Sequence, residues 1–179
     1  MNLNETRKII KEKRNALNKS QIEKFSKSVY EKFIALDFIK ENDSFFVYNS
    51  IKNEVDTQYI IDRLKNLKKT ISYPLTIGGE MVAVIPTNDE WRIGDFGIKI
   101  PKKYKTTNSV DVAVIPLLAC DKNLNRIGYG KGYYDKFLKE NPCIKIGVCY
   151  DFQVIENITP NEWDIPLDYI ITPTKIITK

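Results

Sequence analysis

The sequence contains no histidine. That absence removes Ser-His-Asp and Cys-His catalysis, histidine-ligated zinc and any proton relay through imidazole. The three cysteines, Cys120, Cys143 and Cys149, are too few and too apolar in setting for a disulfide framework or a four-thiolate metal centre. No apolar run approaches the ~18 residues needed to span a bilayer. No apolar segment follows the charged opening MNLNETRKIIKEKR, so no secretory leader is expected and the cytosol is the expected compartment. Internal repeats, low-complexity tracts and linkers are also missing. The remaining chemistry runs on carboxylates, Lys, Arg, Tyr, backbone amides or a hard cation such as magnesium. That inventory leans toward phosphoryl transfer, in which a protein mainly positions groups and neutralises charge.

What is present suffices for one folded domain over residues 1–179. Hydrophobic residues make up 42% of the 179 and aromatics 11%, enough to bury a core and to set disorder aside. Lys and Arg number 28 against 23 Asp and Glu, a formal charge of +5. The first stretch, to about Leu17, reads as a basic helix with a thin apolar stripe at Leu3, Ile10 and Leu17. It is either a solvated, lid-like helix or an arm bringing cations to an anionic ligand. Ser20 and Glu23 fit a capping box for a second helix, whose stripe is Ile22, Phe25, Val29, Phe33 and Leu36. Residues 44–50, SFFVYNS, read as a buried strand. A third helix, capped by Asp56 or Thr57, turns Ile60, Leu64 and Leu67 inward. Residues 70–75 and 81–86 read as strands around a Gly78-Gly79 turn. Residues 110–119, VDVAVIPLLA, form a nearly continuous apolar run, the mark of a strand covered on both faces. Further strands are expected at 144–150 and 168–173, with a short helix ending in KFLKEN before them. Residues 87–108 look least regular, a long loop of the kind that often carries function. Strands alternating with helices imply an α/β fold, a three-layer sandwich with a mostly parallel central sheet flanked by helices.

Ligands of an open parallel sheet sit beyond the carboxyl ends of its strands. Three connections stand there: NSIKNEVDT, CDKNLNRIGYGKGYYDKFL and YDF. The second holds three of the eight glycines, Gly128, Gly130 and Gly132, between a strand and a helix. Glycines there let backbone amides approach an anion, and the helix N-terminus adds a favourable dipole. Arg126 and Lys131 supply charge. The spacing is neither a Walker A loop nor a dinucleotide fingerprint; by itself it also fits a plain turn. Asp135 reads as a helix-dipole partner or as a magnesium ligand beside phosphates, since magnesium needs only one or two carboxylates. Asp164 in NEWDIPLD is a second candidate, alongside Asp151 and Asp168. Tyr133 and Tyr134 point about 100° apart on a helix, so one can pack while the other lines a pocket.

The run RIGYGKGYYDKFL (residues 126–138), after DVAVIPLLACD (residues 111–121), resembles the signature of the 5-formyltetrahydrofolate cyclo-ligase, or methenyltetrahydrofolate synthetase, family. NEVDT, FGIKIP and WDIPLDYIITP follow the family's order, and the resemblance runs from about residue 3 to 174. It implies an architecture like that of sugar-phosphate isomerases and coenzyme A transferases. It also implies an ATP- and magnesium-dependent enzyme that phosphorylates the formyl oxygen of 5-formyltetrahydrofolate and closes it to 5,10-methenyltetrahydrofolate.

Position by position, the resemblance implies ATP contacts at Arg7, Arg126, Ile127, Gly128, Tyr129, Gly130, Lys131, Gly132, Tyr133 and Tyr134. Lys131 and Arg126 become the expected catalytic cations. Folate contacts fall at Ile51, Glu54, Asp56, Phe96, Tyr129, Gly130 and Tyr133, and magnesium ligands at Asp135 and Asp164. A carboxylate facing a pterin ring pairs with its N–H donors. Leu3 stands where the family often has Lys, and Trp163 where it usually has His. The expected partners are these small molecules, with no nucleic acid or membrane, and the expected state is a monomer. Two other readings stay open: a nucleic-acid-binding module, suggested by the basic first helix, and a related ATP-dependent enzyme acting on another small amide.

Overall fold

The computed structural model describes residues 2–179. In chain order the elements are α1 (Leu3–Asn15), α2 (Lys19–Ile34), α3 (Phe38–Glu41), β1 (Ser44–Val47), α4 (Gln58–Asn66), β2 (Thr70–Ile77), β3 (Glu80–Pro86), β4 (Trp91–Ile93) and β5 (Lys99–Pro101). They continue with β6 (Tyr104–Thr107), β7 (Val112–Ile115), β8 (Ala119–Cys120), β9 (Arg126–Ile127), α5 (Tyr133–Glu140), β10 (Ile144–Val148), β11 (Tyr169–Ile171) and β12 (Ile176–Thr178). Eight strands form one sheet in the order β12-β11-β10-β7-β1-β2-β3-β6. From β11 to β2 every pairing is parallel; β12 at one side and β3 and β6 at the other are antiparallel.

Side-chain alternation builds two cores, one on each face of this sheet. Phe45, Val47, Val112, Val114, Ile146 and Val148 pack with Val29 and Phe33 of α2 and Ile60, Ile61 and Leu64 of α4. The residues between them, Phe46, Ala113 and Ile115, pack with Phe137 and Leu138 of α5. Phe46 stacks on Phe137 with ring centroids 4.4 Å apart. This is the layered α/β arrangement that the alternating sequence implied, with a central sheet of mostly parallel strands. No helix among the described residues is long and apolar enough to cross a membrane.

Local chemistry moves several expected boundaries. The capping box of α2 is Asn18 with Gln21, not Ser20 with Glu23; Glu23 pairs with Lys27 at 2.9 Å instead. Leu67 is 39% exposed, and Ile61 takes the inward place expected of it. The apolar run 110–119 is two strands. It breaks at Pro116, which has no N–H for the ladder, and β8 leaves the main sheet to pair with β9. Residues 87–108 are not a loop but a small hairpin, β4 with β5, followed by the edge strand β6. Strand β12 was not expected from the sequence.

Helix α1 buries one large apolar side chain, Ile10, in line with Thr6 and Arg14. Its apolar anchor is correspondingly small, and polar contacts set where it lies.

Gly147 in β10 is buried for a steric reason. A Cβ there would lie 2.6 Å from Leu117 Cδ2 and 2.6 Å from Leu167 Cδ1. Gly147→Ala is therefore expected to destabilise the fold by about 1–3 kcal/mol through overpacking. A urea midpoint unchanged from wild type would refute that packing.

Candidate active site

Connections from the carboxyl ends of β1, β7 and β10 meet at one end of the sheet. After β1 the chain makes a tight turn in which the Glu54 amide donates to the Ile51 carbonyl at 3.2 Å. The Glu54 carboxylate folds back to accept from the Ile51 amide at 2.9 Å. Its own carbonyl accepts from the Tyr150 hydroxyl at 3.0 Å, which fixes this turn to the end of β10. Asp56 turns toward the protein, accepting from the Gln58 amide at 2.9 Å and the Ser50 hydroxyl at 3.3 Å. Thr57 holds the N-cap position of α4, without a side-chain cap bond.

The second connection is organised by Asp121, which is fully buried. Its carboxylate accepts from the amides of Asn123 and Asn125 and from the Asn125 side chain, each at 3.0 Å. It also accepts from the Ile158 amide at 2.9 Å. Four donors on one carboxylate offset its desolvation and join this turn to the segment carrying Asp164. Beyond β9 the chain opens into an exposed glycine loop. Gly130 and Gly132 have φ of 95° and 69°, left-handed conformations that suit glycine. Gly132 is the N-cap of α5.

Helix α1 crosses this loop. Arg7 Nε donates to the Gly128 carbonyl at 3.0 Å. A Cβ on Gly130 would lie 3.4 Å from Arg7 Nη2. Lys11 Nζ stands 5.7 Å from the centre of the Tyr129 ring. Between helix and loop lies an open groove of about 480 Å³ bordered by Arg7, Lys8, Lys11 and Tyr129. Its cations suit an anionic ligand.

Beneath that groove Tyr129 and Glu54 meet a buried cation. Arg14 is 4% exposed and Glu54 6%. Arg14 Nη1 donates to the Tyr129 hydroxyl at 2.9 Å, and Nη2 lies 3.6 Å from Glu54 Oε1. The Tyr129 hydroxyl donates to the same Oε1. Burial pushes the Glu54 carboxyl up from its ordinary value, while the Tyr129 hydroxyl, the Ile51 amide and Arg14 pull it back. Enclosure of the Tyr129 hydroxyl end, and then the Glu54 charge, raise that hydroxyl well above its usual range, so it remains a donor. The rest of the Tyr129 side chain faces the groove.

A second ion pair flanks the glycine loop. Arg126 Nη2 binds Asp135 Oδ1 at 2.6 Å, with the two side chains 5% and 21% exposed. Nη1 of Arg126 donates to the Ile165 carbonyl. The Ile165 amide donates to Asp135 Oδ1 at 3.1 Å. Arg126, expected to supply fixed charge beside the loop, is held in place by protein partners. Asp135, expected as a lightly held helix-start carboxylate, is tied to the segment of Asp164. Asp164 Oδ2 accepts from the Asn161 amide at 2.8 Å. The second oxygen of each carboxylate enters none of the hydrogen bonds among the described residues. Among those residues no group of three or more Asp, Glu or Cys stands ready for a metal. Such a donor set does not make a protein cage. It fits magnesium, a hard cation that takes one or two carboxylates and completes its shell with phosphate and water.

Of the residues singled out in the sequence, the structure brings Arg7, Gly128 and Gly130 together, as it does Ile51, Glu54 and Tyr129. Asp135 accepts from the amide of Ile165, the residue that follows Asp164. Lys131 is exposed beside the loop, Tyr133 is half-buried, and Ile127 is core. Tyr134 packs toward Phe46 at 6.3 Å, so it is the packing member of the tyrosine pair. Phe96 is 79% exposed at the tip of the β4–β5 hairpin, outside these contacts. Arg14, counted from the sequence only among the cations of the first helix, and Asp121, read only as part of a turn, are both buried. The signal for Arg14 was its place four residues after Ile10, on the buried stripe of α1.

Comparison with known proteins shows what the chain as a whole is similar to. Residues 2–173 match the family model described as the 5-formyltetrahydrofolate cyclo-ligase family. A 5-formyltetrahydrofolate cyclo-ligase of Mycoplasma genitalium is 33% identical over 172 residues, covering 94% of this chain and 96% of that protein. Its counterpart from Escherichia coli (strain K12) is 26% identical over 179 residues, covering 94% and 98%. Among solved structures, the 5,10-methenyltetrahydrofolate synthetase of Aquifex aeolicus superposes with a TM-score of 0.89 at 31% identity, covering 99% of this chain and 93% of that one. That of Mycoplasma pneumoniae gives a TM-score of 0.80 at 29% identity, covering 97% and 99%. A glycine loop under a basic helix, a buried glutamate beside it and a family match over nearly every residue lead to one conclusion: this chain belongs to the 5-formyltetrahydrofolate cyclo-ligase family.

Proposed function

We propose that this chain converts 5-formyltetrahydrofolate to 5,10-methenyltetrahydrofolate at the expense of ATP, releasing ADP and phosphate. The observation that carries the reading is the closure of α1 over the glycine loop through Arg7 and Gly128. A nucleotide's phosphates fit there, against exposed backbone amides and the start of α5, with Lys131 and the cations of α1 around them. The folate fits on the Glu54 side, its pterin N–H donors toward that carboxylate and Ile51 beside it. Tyr129, Gly130 and Tyr133 lie between the two. Phe96 adds an exposed aromatic ring on the neighbouring hairpin, which Asn49 ties to the end of β1 through the Lys99 carbonyl at 2.7 Å.

The reaction suits a protein without histidine. An amide oxygen leaves poorly; phosphorylation makes it a good leaving group. The formyl oxygen attacks the γ-phosphorus, its bond to the β-phosphate breaks, and ADP departs. The folate's bridging nitrogen, held in the same molecule at high effective concentration, then attacks the formyl carbon of the imidate. It loses its proton as phosphate leaves with the oxygen. The protein orients both substrates and spreads charge. Lys131 supplies the mobile cation for that task. Arg126 orients Asp135, and Asp135 and Asp164 would hold magnesium. Magnesium, when bound, neutralises charge across the β- and γ-phosphates. One chain supplies every residue named, so a monomer suffices.

Three expectations follow from this arrangement. With Mg-ATP and 5-formyltetrahydrofolate, the near-ultraviolet absorbance of the methenyl product rises, one ADP per product; folded protein that forms neither would refute the activity. Asp135→Asn lowers turnover at saturating Mg-ATP by about tenfold or more and lowers stability by about 1–2 kcal/mol, because Arg126 loses its counter-charge. Full activity would remove Asp135 from the metal role. Gly130→Ala weakens Mg-ADP binding by about tenfold, as a side chain at that φ strains the loop and crowds Arg7. Calorimetry finding equal ADP affinity would return Gly130 to a plain turn.

A further inference from the structure

We propose that Arg14 is a positioning residue that couples the two halves of this site: it holds Tyr129 against Glu54, and nucleotide binding, by drawing Tyr129 away, readies Glu54 for the folate. The inference rests on the substrate reading above.

Its basis is a three-way contact between separate parts of the chain. Arg14 comes from α1, Tyr129 from the glycine loop and Glu54 from the turn after β1. In this arrangement both Glu54 oxygens are engaged, Oε1 by the Tyr129 hydroxyl and Oε2 by the Ile51 amide. A pterin N–H seeking that carboxylate therefore competes with Tyr129. Tyr129 is built to yield: it lies between Gly128 and Gly130, and Gly130 has φ of 95°. Phosphates gripped by this loop act on the backbone that carries Tyr129.

Once its tyrosine donor leaves, a buried carboxylate needs a counter-charge. Arg14 is that cation, and its own carbonyl is held by Asn53 Nδ2 at 3.0 Å, one residue from Glu54. Arg14 Nε is buried with no partner among the described residues. The guanidinium fork thus has donor capacity left for a rearranged site. Lys11 over the Tyr129 ring, Lys52, Asp56, Arg126, Tyr48, Tyr134 and Tyr150 are other titratable groups near this cluster, and among the described residues Arg14 is the cation within 4 Å of Glu54.

Coupling between two ligands is reciprocal and measurable. The dissociation constant of 5-formyltetrahydrofolate is measured with and without magnesium and β,γ-imido-ATP, for wild type, Tyr129→Phe and Arg14→Lys. Wild type is expected to bind the folate about fivefold or more tightly with the nucleotide present. Tyr129→Phe, which keeps the ring and frees Glu54, is expected to bring that ratio near one by tightening folate binding without nucleotide. Arg14→Lys, which keeps the charge but loses the fork, is expected to lower the ratio while the thermal midpoint stays close to wild type. A Tyr129→Phe protein with the wild-type ratio overturns the inference. So does wild type that binds each ligand indifferently to the other, an outcome that leaves the proposed reaction standing. Wild type that binds neither ligand overturns both.

Discussion

Helix α1 rests on the glycine loop through Arg7 and Gly128, and the groove between them depends on that contact. The helix has little apolar surface with which to hold itself. Ile10 is its one large buried apolar side chain, and Thr6 and Arg14 complete the buried face. Polar groups therefore decide where the helix lies, and they lie where an anion is to be met. The Arg7 bond at 3.0 Å and the Arg14 cluster fasten the helix at two levels two turns apart. Without them the basic residues of α1 would be an ordinary solvated face.

Three carboxyl-centred arrangements carry the rest of the site, Asp121 and Glu54 buried and Asp135 partly so, and lost solvent makes each of them exacting. Asp121 has four protein donors and holds two connections at one spacing. Asp135 has a guanidinium and an amide. Glu54 has a hydroxyl, an amide and a more distant guanidinium. The cost of leaving such a group unpaired exceeds the net gain of pairing it, so the pairs specify geometry more than they add stability. Asp121 and Asp135 both reach the 158–165 segment, so they tie the glycine loop to the turn that carries Asp164. Glu54 is the one whose partner sits on a residue flanked by glycines.

Much of the fold was legible because the apolar pattern is clean. Phe45, Val47, Val112 and Val114 alternate with Phe46, Ala113 and Ile115, and both sets are buried. Boundaries were less legible where one residue outranks the pattern. Pro116 cut a run that hydropathy joined, and Asn18 captured a cap that Ser20 also offered. The hairpin at residues 91–101 was hidden because its exposed residues, Ile93 and Phe96, read as irregular. At the site, the glycine spacing and its flanking charges marked the loop. Whether a charged side chain faces solvent or a partner is fixed by tertiary packing, and no spacing encodes it. Hence the partners that hold Arg126 could not be read from the sequence, and Arg14, one cation among several on the basic first helix, is buried.

The proposed chemistry depends on where a nucleotide's phosphates lie. Amide chemical shifts followed by NMR during a titration with Mg-ADP address that directly, residue by residue. The largest changes are expected at Gly128, Tyr129, Gly130, Lys131 and Gly132, with smaller ones on the face of α1 that carries Arg7. Saturable shifts confined to another part of the fold, with these five amides unmoved, would contradict it.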